Sequence, residues 1–310
     1  MDITTQVLSI VIVNWNAEGF LKDCLNSIYK SCKLKLEVFV VDNSSSDKSM
    51  EVLENEFPQV KIIKNKENLG FARANNQAIK QSRGRYVLML NPDTIVLPNA
   101  LDIMVEFMDE HTEAGACGPK LLNPDGSLQP SCRSFPTLLT TLFEETLLNR
   151  IFPKNRVIGE YRMGYWDHGD IWEVDQPMGS ALMVRREAIE QVGLLDEQFF
   201  IYYEEVDWCY RMKKRSWKVF FLPQAQIIHY GGASCNQDRG INLMEMYRSL
   251  IKFFRKHYGQ TSVILLRFLI VYGLLLRTFI FSILYLLSRE QLEARQKLKA
   301  CLAVFREAIR

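Results

Sequence analysis

From residue 8 onward the chain alternates two patterns of apolar positions. "LSIVIVNWN" (8–16) is an unbroken, largely β-branched run, and "FLKDCLNSIYK" behind it sets Phe20, Leu21, Cys24, Leu25 and Ile28 on one face of a helix. "LEVFVVDNS" (36–44) is the next run, after which Asp47 is placed to cap a helix reaching Phe57. "VKIIKN" (60–65), a helix over "FARANNQAIKQ", and "RYVLMLNPD" (85–93) complete the series. Continuous apolar strands separated by amphipathic helices predict βαβ units, hence a parallel sheet covered on both faces. Such sheets bind ligands beyond the carboxyl ends of their strands. Here those ends carry Asn14, Asp42, Asn65 with Asn68, and Asp93, all of them polar.

The middle of the chain is less regular. "NPDGS" (123–127) predicts the turn of a hairpin, 137–152 reads as helix, and 153–175 as a loop rich in aromatic and charged residues, with Trp166 and Trp172. "SALMVRREAIEQVG" reads as strand then helix, "YYEEVDWCYRMKKRS" as helix, and "KVFFLPQAQIIHYGG" as an extended stretch ending in His229 and two glycines.

Near residue 261 the character changes. Phe268 to Leu287 is an apolar run interrupted only by Arg277, close to the ~20 residues that span a bilayer. A central Arg costs about 2.5–3.5 kcal/mol on an insertion scale, which Leu, Ile and Phe at about −0.3 to −0.6 each can offset. On a helical projection, however, Arg267, Gly273, Arg277, Thr278, Ser282 and Ser288 share one half of the wheel and the other half is apolar. That distribution favours a helix lying in a membrane interface over one that crosses it. The tail "REQLEARQKLKACLAVFREAIR" is amphipathic and net basic, as an anionic membrane surface requires. A helical pair packed on the protein's own core, or on a second copy in a homo-oligomer, is the competing reading.

Composition adds bounds. At 310 residues and 48% hydrophobic, the chain has ample core for one large domain plus an appendage, taken as 1–255 and 256–310. A net charge of +2 without a long basic run argues against nucleic acid. Seven scattered cysteines, with no C-x-x-C pair, indicate neither a zinc knuckle nor a disulfide framework, and are expected to be reduced in a cytosolic protein. "MDITTQVLSIVIVNWN" lacks a basic region before its apolar run and reads as a first core strand rather than a signal peptide.

No G-x-G-x-x-G follows the first strand, and neither a P-loop nor a G-x-S-x-G elbow is present. What remains is a set of acids and amides at strand ends, an acidic pair and a late histidine. "SIVIVNWN", "VVDNSSSD", "NLGFARANNQA", "LMLNPDT", "PMGSALMVRREAIEQVGLLDEQFF", "YYEEVDWCYR" and "IIHYGGAS" occur in this order across roughly residues 7–255. In this they resemble the family 2 glycosyltransferases, most nearly the rhamnosyltransferase-like branch. The resemblance implies a GT-A fold, a Rossmann-like and mostly parallel central sheet flanked by helices, here with a C-terminal helical, membrane-associating extension.

It also implies roles. Asp42 would read the nucleobase or a ribose hydroxyl, although a turn-capping role can coexist, and Asn14 and Glu18 would lie against the nucleotide. Asn68, Asn75 and Arg73 fall beside the diphosphate, Arg73 near the start of a helix whose dipole favours anions. "NPD" matches the family's D-x-D with Asn91 replacing the first acid, which leaves Asp93 as the carboxylate ligand of a Mn²⁺ or Mg²⁺ ion and His229 as the second protein ligand. The family's acidic pair is Glu204-Glu205 here, with Glu205 as base at an ordinary carboxyl pKa of about 4.3. The family more often has Asp at that place. The longer arm, by roughly 1.5 Å, needs a small backbone shift, or else Glu204 or Asp207 takes the role. Gly179 in "PMGSA" allows close approach to the donor sugar, and Trp172 is either a stacking wall for a sugar ring or an ordinary core residue.

The implied activity is inverting transfer from a nucleoside-diphosphate sugar, dTDP-L-rhamnose foremost, to a lipid-linked or cell-surface glycan. Its place would be the cytoplasmic face of the cell membrane, with the chain peripheral or monotopic. The rival reading is a non-catalytic relative that binds a nucleotide sugar or glycan, which the departures at Asn91 and Glu205 keep open.

Overall fold

The computed structural model describes residues 7–231 and 239–287. The basic tail, Ser288, Cys235 and Cys301 lie outside the described residues. The described cysteines Cys24, Cys32, Cys117, Cys132 and Cys209 are all free thiols.

The chain begins β1 (Leu8–Asn14), α1 (Glu18–Ser31), β2 (Leu36–Asp42), α2 (Ser49–Glu56), β3 (Lys61–Lys64), α3 (Phe71–Gln81) and β4 (Tyr86–Leu90). It continues through β5 (Thr94–Val96), α4 (Ala100–Glu110), β6 (Ala114–Leu122), β7 (Leu128–Gln129) and β8 (Cys132–Arg133). Then come α5 (Leu138–Glu145), α6 (Leu148–Ile151), β9 (Trp172–Glu173), β10 (Gln176–Pro177), β11 (Ala181–Arg185) and α7 (Arg186–Val192). The last elements are α8 (Glu204–Lys214), β12 (Lys218–His229) and α9 (Arg239–Leu287).

Among the described residues two compact units result: 7–134 with 167–200 and 204–231, and 135–166 with 201–203 and 239–287. In the first, the main sheet has the order β3-β2-β1-β4-β11-β6-β12-β5, with β7 on β6 and β9 on β12. The first four strands are parallel, as the apolar runs predict; β11 then enters antiparallel to both β4 and β6, so the sheet is mixed. β1 is buried along its whole length, which is why its residues read as a continuous apolar run. On one sheet face Leu8, Ile10 and Ile12 join Leu21, Cys24, Leu25 and Ile28 of α1 in the core. Each Leu or Ile so buried is worth about 1.5–3 kcal/mol.

Register aligns the strand ends. Asn14 pairs with Asp42 between β1 and β2. Ala181 pairs with Leu90 between β11 and β4, and His229 with Thr94 between β12 and β5. Asn14, Asp42, Asn91, Asp93, Gly179 and His229 therefore sit at the ends of neighbouring strands along one sheet edge. β12 is long enough to reach that edge because it shifts register between Leu222 and Gln226, where Pro223 sits out of the ladder. At Gly70, φ is +82° and an added Cβ would collide with the Phe200 carbonyl, which accepts from Phe71 N at 2.6 Å.

In the second unit, α5 opens with a reciprocal cap: Thr137 Oγ1 accepts from Thr140 N at 3.1 Å while Thr140 Oγ1 accepts from Thr137 N at 2.8 Å. Leu147, at φ 62°, breaks the helix predicted over 137–152 into α5 and α6. α9 is two helices joined at Gly259, which is non-helical at φ 81°. Arg277, in the second of these, turns inward: its Nη1 donates to Glu145 Oε2 at 2.6 Å and to Tyr247 Oη at 2.8 Å, and its Nη2 to Glu144 O at 3.0 Å. Val263, Leu266, Ile270 and Leu274 are buried, whereas Ile264, Phe268, Tyr272, Leu275, Phe279 and Ile283 form an exposed apolar stripe.

Candidate active site

The edge at β1 and β2 is built from amides. Asn14 Nδ2 donates to Asp42 Oδ1 (3.1 Å), Ser45 Oγ (3.0 Å) and Ser49 Oγ (2.8 Å), and its buried Oδ1 has no protein partner. Asp42 Oδ2 accepts from Ser45 N at 3.2 Å, so its turn-capping role is real. Glu18 and Asp47 staple their two loops reciprocally: Glu18 N donates to Asp47 Oδ2 at 2.8 Å and Lys48 N to Glu18 Oε2 at 3.1 Å. Asp47 accepts from Ser49 N at 3.1 Å, one residue ahead of the cap position, and the helix ends at Glu56 rather than Phe57.

Asn68 Oδ1 accepts from Gly70 N (2.9 Å) and Asn43 Nδ2 (3.2 Å), holding the loop before α3. Asn75 is fully buried, donates to Phe71 O at 2.9 Å and keeps an unpaired Oδ1. Its neighbour Asn76 is structural, binding Leu195 through both N and O of that residue (3.1 and 2.8 Å). Arg73 is exposed on the first turn of α3, with Glu197 Oε2 3.6 Å from its Nε. Asn43 and Gln77, which tie this network to Asn65, carried no signal in the sequence.

At the β4 end, Asp93 is buried and its Oδ1 stands 3.4 Å from His229 Nε2. Asn91 Nδ2 lies 3.5 Å from the same nitrogen, and His229 Nδ1 is 2.7 Å from Gln129 Oε1. Among the described residues no three His, Cys, Asp and Glu side chains converge as a metal cage. A cation here would therefore take two protein ligands and draw the rest from a diphosphate. One carboxylate and one imidazole, 3.4 Å apart and buried, suit that arrangement, and the mixed donor set suits Mn²⁺ better than Mg²⁺.

The acidic pair follows two consecutive left-handed residues, Tyr202 (φ 65°) and Tyr203 (φ 68°). Such backbone costs on the order of 1–3 kcal/mol per residue and tends to gather at functional sites. It delivers Glu204 and Glu205 to the first turn of α8. Burial, then the neighbouring Glu205 carboxyl, pushes Glu204 far above the usual carboxyl range. Burial also raises Glu205, against the N–H groups of Glu205, Val206 and Gly179 that favour its charged form. The expectation of an ordinary carboxyl is thus replaced by a pair in which both carboxyls bind a proton more tightly than usual, Glu204 the more strongly. The longer Glu205 arm lies against Gly179, where an added Cβ would be 3.3 Å from Glu205 Cγ. Next to Gly179, Ser180 O accepts from Asn91 N at 2.9 Å. Gly179 beside Glu205 is thereby linked, through Ser180 and Asn91, to the chain that leads into Asp93.

Two residues, Asp207 as an alternative base or sugar contact and Trp172 as a sugar wall, are not brought there. Asp207 is fully buried and its Oδ2 accepts from Arg211 Nε at 2.7 Å; Arg211 also binds Val192 O and, at 2.7 Å, Leu194 O. It is an internal ion pair that locks α8 to the chain after α7. Trp172 is 44% exposed, so it is not a core residue. It pairs with Phe221, eight residues before His229 on β12, roughly 25 Å along an extended strand. Its neighbour Glu173 meets Lys213 (3.3 Å), near the far end of α8 from the acidic pair.

Comparison with known proteins gives the family and the fold. Residues 9–167 match the family described as Glycosyl transferase family 2. The chain is 30% identical over 267 residues to an N-acetylglucosaminyl-diphospho-decaprenol L-rhamnosyltransferase of Mycobacterium tuberculosis, an alignment covering 82% of this chain and 86% of the relative. It is 30% identical over 227 residues to a low-salt glycan biosynthesis hexosyltransferase of Haloferax volcanii, covering 72% and 66% respectively. In fold it resembles a mannosyltransferase from Pyrobaculum calidifontis solved with GDP-mannose and Mn²⁺, at a TM-score of 0.58 and 14% identity over 99% of this chain and 83% of that one. A family match over half of the chain, and a relative sharing most of its length, place it: the chain belongs to glycosyltransferase family 2 and is a glycosyltransferase of the GT-A fold.

Proposed function

We propose that this glycosyltransferase moves L-rhamnose from dTDP-L-rhamnose to a hydroxyl of a lipid-linked or cell-surface glycan, by metal-dependent single displacement with inversion. The observation that carries the reading is Glu205, in the first turn of α8 and set against Gly179, whose neighbour Ser180 accepts from Asn91 N at the Asp93–His229 edge. The name of the mycobacterial relative supports the donor sugar and the lipid-linked acceptor. The exposed stripe on α9 supports a place against a membrane surface.

Asp42, with Asn14 and Glu18, receives the base and ribose, while Asn68 and Arg73 face the diphosphate and the buried Asn75 holds the first turn of α3 through Phe71 O. Glu205 takes the proton of the attacking hydroxyl as the new bond to the anomeric carbon forms, and the bond to the diphosphate breaks with its electron pair leaving on the nucleotide. Glu204, buried beside Glu205, binds its own proton more tightly than an ordinary carboxyl. Asp93 and His229 would hold the divalent cation, which when bound neutralises charge on the departing diphosphate.

The test is nucleoside diphosphate release from dTDP-rhamnose, UDP-glucose, UDP-galactose and GDP-mannose, with and without Mn²⁺ or Mg²⁺ and a polyprenyl-diphosphate-linked acceptor. Metal-dependent release from dTDP-rhamnose alone is expected. Faster release from another donor overturns the rhamnose assignment, and equal release in chelator overturns the role given to Asp93 and His229.

A further inference from the structure

We propose that Gln129, itself oriented by Asn123, is a positioning residue that places hydrogen on His229 Nδ1 and so offers Nε2 to the cation. This rests on the reading of His229 as a metal ligand, and it uses the β6–β7 hairpin, which nothing above gives a role in chemistry.

The hairpin turn closes through Gly126 N to Asn123 O (2.9 Å) and Asn123 N to Ser127 O (2.8 Å). Inside it runs a chain of hydrogen bonds whose direction is settled by groups that can only accept. Ser127 Oγ donates to the Asp125 carboxylate at 2.6 Å, so its oxygen is left to accept from Asn123 Nδ2 at 2.9 Å. The same Nδ2 reaches the Leu128 carbonyl at 3.4 Å. Asn123 Oδ1 is then the acceptor facing Gln129, and Gln129 Nε2 donates to it at 3.0 Å. The other Nε2 hydrogen goes to the His229 carbonyl at 3.1 Å. With both amide hydrogens so placed, Gln129 Oε1 is the atom 2.7 Å from His229 Nδ1.

An amide oxygen accepts and cannot donate, so Nδ1 carries the hydrogen. In a neutral imidazole the lone pair is then on Nε2, because which nitrogen is protonated follows from the bond the other one makes. Nε2 is the nitrogen that stands 3.4 Å from Asp93 Oδ1, with the Asn91 amide 3.5 Å away on the donor side. Metal-binding histidines are commonly oriented in this way by a second partner on the opposite nitrogen, and loss of that partner costs about 10- to 100-fold in metal affinity. Tyr230 N, donating to Asp93 O at 3.0 Å, pins the backbone beside it.

The test uses the full chain labelled with ¹⁵N-histidine; with four histidines in the sequence, a His229→Gln control identifies the resonance. In the wild type, nitrogen shifts of the metal-free protein at neutral pH should show His229 hydrogenated on Nδ1. Gln129→Met, which keeps volume but offers only a weakly accepting thioether, should move the hydrogen to Nε2. Asn123→Ala, which frees the Gln129 amide to turn over, should give a mixture and guards against a Gln129 variant that fails to fold. Free Mn²⁺, followed by electron paramagnetic resonance in the presence of dTDP, should show affinity about 10- to 100-fold weaker for Gln129→Met. An Nε2–H tautomer in the wild type, or an Nδ1–H tautomer surviving Gln129→Met, overturns the proposal and leaves the metal site standing. A tautomer that moves while Mn²⁺ affinity does not change overturns His229 as a ligand, and the proposal with it.

Discussion

The Glu205 side chain lies flat on Gly179: a Cβ at that glycine would be 3.3 Å from Glu205 Cγ and 3.4 Å from its Cβ and Cδ. The room left by the missing side chain is what accommodates a glutamate in this place. Gly179→Ala should fold, since the contact is tight rather than forbidden. It should move the carboxylate by a few tenths of an ångström and lower kcat about 10- to 100-fold. Nucleotide affinity, measured by calorimetry, should stay within about twofold. An unchanged kcat would show that Glu205 need not sit where the structure puts it.

Glu204 and Glu205 both bind a proton more tightly in the folded chain than an ordinary carboxyl does. Above the ordinary carboxyl range the native state therefore holds more protons than the unfolded one, and stability falls as pH rises through that interval. Glu204→Gln copies the neutral carboxyl, so it should keep most of the turnover and flatten the decline of Tm with rising pH. A Glu204→Gln protein whose Tm follows pH as the wild type does would contradict this assignment. So would the loss of its activity.

Asp207 is fully buried and paired with Arg211 at 2.7 Å. Breaking such a pair from one side leaves a buried charge and costs about 3–5 kcal/mol. Asp207→Asn should thus lower Tm by several degrees while the folded fraction keeps its turnover, with activity normalised to native protein by circular dichroism. Loss of turnover at unchanged Tm would return Asp207 to the reaction.

On the outer face of α9, Phe268 and Phe279 are 69% and 64% exposed, while the one charge in the run, Arg277, is neutralised by Glu145. Burying one Phe is worth about 1.5–3 kcal/mol. Phe268→Ser with Phe279→Ser should weaken flotation with anionic vesicles by about two orders of magnitude and leave the fold intact. Undiminished flotation would contradict the membrane reading. A wild-type dimer in solution that these changes dissociate would give the stripe to a second copy of the chain instead.

The first half of the fold was legible because β1, β2 and β4 are buried on both faces and their residues say so without interruption. The antiparallel entry of β11 was not, since "ALMVR" reads equally well in either direction and only its pairing with Leu90 decides. At the site, Asp93, His229 and the acidic pair were visible as acids and a histidine at element ends. Gln129 was not, because its role depends on a hairpin that returns it to a strand end a hundred residues later in the chain. Trp172 and Asp207 misled for a common reason. Sequence proximity to "PMGSA" and to Glu204 says nothing about which end of a strand, or which partner, a side chain meets.

The most direct test of the account is turnover by Glu205→Gln, measured as dTDP release from dTDP-rhamnose with a polyprenyl-diphosphate-linked acceptor and Mn²⁺, alongside calorimetric binding of dTDP. Loss of a general base costs about 10²–10⁴-fold, and the account predicts that loss in kcat with nucleotide affinity within about twofold of wild type. Turnover within a few-fold of wild type would contradict it, because the Glu205 carboxyl beside Gly179 would then not be the group that takes the proton.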